Sequence, residues 1–196
     1  MSRIAWSRTR VAVAICGVAL VVLAGCGNSS STTSTTVTKT LSPSATVLDA
    51  TYAGSIGFPK TVQAAKKAPE SGEKGCTSSV EAVYENTGSK TGLISSALEC
   101  DSKASASAAL AMARKGVTLD PSLPVPKELG TTAFATDSHA PEYLLAWQSG
   151  NRVAITVFDV NIDASSTSPS SQSPALTPAQ STTLGKAAVQ QNSLYS

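Results

Sequence analysis

Two cysteines, Cys76 and Cys100, stand at equal distances from Gly88, which lies inside the polar run Asn86-Thr87-Gly88-Ser89-Lys90. No other feature restricts the fold as much. If the chain doubles back at Gly88, each residue faces its mirror image about that position, and the two thiols meet across a hairpin. The two-residue period of a strand then places Cys76, Ser78, Val80, Ala82 and Tyr84 on one face beside Ile94, Ser96, Leu98 and Cys100. Thr77, Ser79, Glu81, Glu85, Ser95, Glu99 and Asp101 take the other face. Thiol proximity and a single apolar face thus select the same register. A Cys76–Cys100 disulfide is expected, contributing roughly 3 to 4 kcal/mol by restricting the unfolded chain.

The N-terminus indicates the compartment in which such a bond can form. Arg3, Arg8 and Arg10 precede a nearly unbroken apolar run from Val11 to Ala24, which has the layout of a signal peptide. The run is too short for a membrane-spanning helix, which needs about 20 apolar residues. It closes on Leu23-Ala24-Gly25-Cys26. A thiol can take a diacylglyceryl group as a thioether, and Ala24 and Gly25 are small enough for a peptidase to cut just before Cys26. From Asn28 to Thr40, ten of 13 residues are Ser or Thr, a composition with too little apolar surface to offset the entropy of ordering.

The tetrapeptide resembles the lipobox of bacterial lipoproteins. The Ser/Thr tract and the Ala-rich, Lys-poor composition resemble mycobacterial and related actinobacterial envelope lipoproteins. This resemblance reaches no further than about residue 45 and implies location, not activity. It implies a cleaved signal over residues 1–25, a lipidated Cys26 with a tether over 26–45, and attachment to the outer face of the cell membrane. Residues 46–196 are then left for a single extracytoplasmic domain, long enough for a sizeable core. With Cys16 in the signal and Cys26 lipidated, Cys76 and Cys100 remain an even pair in an oxidising compartment.

Three of the 15 basic residues lie in the signal, so the processed chain carries 12 against 13 acidic residues. Such a balance offers nothing to nucleic acid.

Beyond the first hairpin, Asp101 or Ser102 can cap a helix carrying Ala106, Ala109, Leu110, Ala113 and Val117, with Gly116 at its end. Three prolines make Leu119–Lys127 a loop, and Thr131–Thr136 reads as a short strand. A second hairpin is expected from Glu142–Ser149 and Arg152–Val160 around Gly150-Asn151. Both of its faces are apolar, with Leu144, Ala146, Ile155 and Val157 on one and Tyr143, Leu145, Trp147, Ala154 and Phe158 on the other. Cover on both sides is therefore expected. Thr177-Pro178-Ala179-Gln180 has the residues of a capping box with proline at the first helical position, opening a helix over about 178–193 with Leu184, Ala187, Ala188 and Leu194 inward. Residues 42–75 are ambiguous. Ser42-Pro43 can open a short helix bearing Leu48 and Tyr52, and Thr61–Ala68 is open to a helical reading before Pro69. The fold class is α+β, a twisted antiparallel sheet built from two hairpins plus a short strand, with helices on its faces.

Chemistry-bearing motifs are scarce. The one histidine, His139, has no thiol left to share a zinc site, so neither a metal nor a cofactor is implied. Ser71-Gly72-Glu73-Lys74 and Lys90-Thr91-Gly92 match motifs of penicillin-binding enzymes, but they lie too close together and lack the intervening Ser-Asp-Asn. The expected role is a non-enzymatic binding or interaction module for an apolar ligand or an envelope protein. The alternative is a small hydrolase pairing an unassigned serine with His139. Tyr143, Trp147 and Phe158 share one side of the second hairpin and form either core under a helix or a ligand or partner face.

Overall fold

Alternating strands along the chain assemble into one six-stranded antiparallel sheet flanked by helices, an α+β architecture. The computed structural model describes residues 45–69, 74–137, 142–160 and 175–196. The signal and tether with Cys26, residues Ser71 to Glu73, and His139 fall outside the described residues. Helix α1 (Ala50–Ser55) leads into β1 (Lys60–Pro69), β2 (Cys76–Asn86) and β3 (Thr91–Cys100). Helix α2 (Lys103–Lys115) crosses to β4 (Phe134–Asp137), β5 (Glu142–Ser149) and β6 (Arg152–Asp159), and α3 (Pro178–Ser193) follows.

The strand order is β1-β2-β3-β6-β5-β4. Each expected hairpin is therefore the inner part of a three-stranded meander, and the two meanders join where β3 pairs with β6. The strand not foreseen is β1. Thr61–Ala68 is rich in Gln, Lys and Ala, all tolerated in helices, but pairing with β2 overrides that preference. As an edge strand β1 carries two register shifts, Lys60, Lys66 and Lys67, and a terminal proline. These devices discourage another chain from pairing there. The first helix also differs from expectation. It starts at Ala50 with Asp49 Oδ1 accepting from the Tyr52 amide at 2.8 Å, and Leu48 lies before it.

Pairing in the first meander departs from the mirror about Gly88. Cys76 does face Cys100 and the two form a disulfide. From Ser78 onward, however, every partner is displaced by one, so that Val80 faces Ala97 and Tyr84 faces Leu93. The loop between Asn86 and Thr91 holds four residues rather than three. Asn86 Oδ1 accepts from the Ser89 amide at 3.0 Å, and Lys90 closes the loop at φ 55°. The irregularity between Cys76 and Ser78 absorbs the extra residue and restores the cysteines to opposition. A one-residue slip exchanges the faces of a strand. Leu93, Ser95 and Ala97 consequently point into the main core, while Ile94 and Leu98 turn to the opposite face.

The sheet is covered on both sides of its centre. On one face, Val80, Ala82, Tyr84, Leu93, Leu145, Trp147 and Phe158 pack with Leu184, Ala187 and Ala188 of α3 and Ala53 of α1. On the other, Ala106, Ala109 and Leu110 of α2 pack with Cys100, Phe134, Ala146 and Val153. Ser102 caps α2, and Gly116 ends it in right-handed geometry at φ −85°, not in the left-handed conformation expected of a terminal glycine. Thr177 and Gln180 form the expected capping box of α3, with Pro178 at the first position.

Candidate functional site

The cluster of three aromatics, for which the sequence leaves core and binding face as alternatives, is buried. Trp147 is fully buried and donates from Nε1 to Asn192 Oδ1 of α3 at 2.9 Å. Phe158 meets Phe58 edge-on at a centroid distance of 5.6 Å. Tyr143 is buried but also contributes to the wall of a surface concavity formed by Thr118–Leu123, Leu176 and Ser181. Helix α3 lies across these rings because its Leu184, Ala187 and Ala188 stripe matches the apolar face of β5 and β6. Of the two alternatives the sequence left for Tyr143, Trp147 and Phe158, the structure has core beneath a helix, with Tyr143 also bordering a surface concavity. Cys76 and Cys100 serve as a crosslink packed beside α2.

Polar residues also lie inside this core. Gln191 of α3 is fully buried, with Oε1 accepting from Thr156 and Nε2 donating to the Ser96 carbonyl and the Tyr195 hydroxyl. Tyr195 in turn donates to the Thr46 carbonyl at 2.6 Å. Burial pushes the Tyr195 phenol well above its ordinary value, against smaller lowering effects from Gln191 and Arg152. Ser95, assigned to the solvent face by the mirror register, is buried and accepts from the Leu48 amide at 3.0 Å.

A charged row continues across the sheet. Glu99 accepts from Ser78 Oγ at 3.1 Å and pairs with Lys67 Nζ at 3.5 Å and with Arg152 Nη2 at 3.7 Å. The buried Arg152 guanidinium also lies 5.8 Å from the Tyr195 ring centre, within cation–π range. Two cations and a hydroxyl thus surround this carboxylate. Among the described residues, no group of three or more His, Cys, Asp or Glu side chains is placed to hold a metal ion.

An apolar concavity does occur on the outer side of α3. Tyr52, Pro124, Val125, Pro126, Ser181, Gly185 and Val189 surround a groove of about 480 Å³, within the size range of small-ligand sites. Two prolines stiffen the loop, and Tyr52 donates to the Lys186 carbonyl at 3.2 Å, tying α1 to α3. A Cβ on Gly185 would come 3.5 Å from Pro126 Cγ, so α3 and the proline loop approach closely at this glycine. Sequence reasoning passed over this site because its residues come from three separate segments. The available signal was a glycine inside an otherwise well-formed helix, where it is disfavoured by about 1 kcal/mol relative to alanine.

Comparisons with protein-family models, with curated proteins and with solved structures give no match for this chain.

Proposed function

We propose that this chain is a lipid-anchored module on the outer face of the cell membrane that binds an apolar ligand or envelope partner without transforming it. Cys26 carries the lipid, residues 1–25 are the cleaved signal, and the Ser/Thr tract is the tether. Two or three acyl chains would anchor such a protein stably, since each buried methylene contributes about 0.8 kcal/mol. The observation that favours binding is the groove beside α3, a mostly apolar surface concavity. The Glu99 cluster favours a non-catalytic reading because its carboxylate is engaged by Ser78, Lys67 and Arg152 on neighbouring strands.

Metabolic labelling with a clickable fatty acid tests the anchor. Cys26→Ala should abolish the label, release the protein from the membrane fraction and leave an unprocessed precursor. Undiminished label in that variant overturns the anchored reading.

A further inference from the structure

We propose that the groove beside α3 holds a single-chain anionic amphiphile, a fatty acid or a close analogue, with its carboxylate at Lys186. This assignment rests on the binding-module reading above and names the ligand class. Ser181, Gly185 and Val189 recur every four residues and form one line along α3, while Thr182, Lys186 and Gln190 form the adjacent line. The first line is the groove floor and the second its polar rim. Eight residues of helix give the floor a length of about 12 Å, enough for a stretch of extended acyl chain. Pro124, Val125 and Pro126 supply the opposite wall with no charge, and Val125 remains 36 % exposed.

Charge selects the head group. Of the ten residues lining the groove, Lys186 is the one basic residue and none is acidic. An apolar trough with one rim cation complements a molecule that has one chain and one negative end. At Gly185 a Cβ would stand at van der Waals distance from Pro126, so a larger side chain there would push against the wall that lines the groove.

The full chain in phosphatidylcholine vesicles, exposed to a diazirine-bearing palmitate and analysed by peptide mass spectrometry, tests the assignment. Label should concentrate on peptides carrying Pro124–Pro126 and Ser181–Gln190. Gly185→Leu should lower it about tenfold by filling the trough, and Lys186→Glu about fivefold by reversing the rim charge. Gly185→Ala separates binding from folding, since it should raise the melting temperature by about 2 to 4 °C while still reducing label. Label spread evenly over the chain, or equal in wild type and Gly185→Leu, overturns the groove assignment. Lipidation of Cys26 is read in the same samples. An unlabelled groove on a lipidated chain removes the amphiphile proposal alone, whereas a labelled groove on an unlipidated chain removes the anchor alone.

Discussion

The strand pairs β2–β3 and β5–β6 are built alike, two long antiparallel strands joined by a short polar turn, yet the chain dictates their registers by different means. In β5–β6 the turn is Gly150-Asn151, with Gly150 at φ 61° in the first central position, a placement that tight two-residue turns favour. Ser149 faces Arg152, and each further pair follows without interruption to Glu142 and Asp159. In β2–β3 a four-residue loop sets one register, and an irregularity beside Cys76 adjusts the cysteine end by one residue. The comparison teaches that a disulfide fixes opposition only where it sits. A single extra residue between the bond and the turn leaves the cysteines paired while it reverses the faces of a whole strand.

Paired substitutions on β3 sharpen this contrast most strongly. Leu93 is fully buried and Ile94 only partly so. Leu93→Ala should therefore destabilise by about 3 kcal/mol and Ile94→Ala by about 1 kcal/mol, read from urea midpoints at constant slope. Strict mirror pairing about Gly88 forecasts the opposite order. On β6 both faces are covered, by α3 on one side and α2 on the other, so Thr156→Val and Ile155→Val should show no comparable inversion. Thr156→Val should instead leave Gln191 Oε1 without its donor and lose about 1 kcal/mol.

An effect of the same size as that of Thr156→Val is expected from Tyr195. Tyr195→Phe removes the hydroxyl that bridges Thr46 and Gln191 and should lower stability by about 1 kcal/mol near neutral pH. The phenol of Tyr195 is pushed up by burial, above the ordinary value of 10.0. Its contribution to stability is thus fully present below pH 10 and lost as pH rises further, because the unfolded chain releases this proton first. Wild-type stability should fall in that alkaline range, and Tyr195→Phe should fall less steeply. Parallel slopes would show that Tyr195 contributes nothing to alkaline unfolding.

What the chain discloses follows from the range of the interactions involved. The ends of α2 and α3 were legible because Ser102, Thr177 and Gln180 act within one helical turn. The β5–β6 pairing was legible because its turn is short and both faces are apolar. Strand β1 was not, since Gln63, Ala64, Lys66 and Lys67 carry no strand preference and take their conformation from β2. Ser95 and Glu99 misled for a related reason. Both look like solvent residues, but their partners, the Leu48 amide and the Arg152 guanidinium, lie 47 and 53 positions away. The candidate site shared that obscurity. The aromatic residues drew attention by type, whereas the groove is assembled from residues of three separate segments.

The sealed aromatic core and the open groove beside α3 are most directly distinguished by quenching with a brominated fatty acid. With Trp6 replaced by Phe, Trp147 is the single native reporter and lies beneath α3. A companion chain with Trp147→Phe and Val125→Trp places the reporter on the groove wall. Bromostearate should leave Trp147 emission unchanged and quench the indole at position 125 in a saturable way that Gly185→Leu abolishes. Saturable quenching of Trp147, with none at position 125, would contradict both the closed core and the groove.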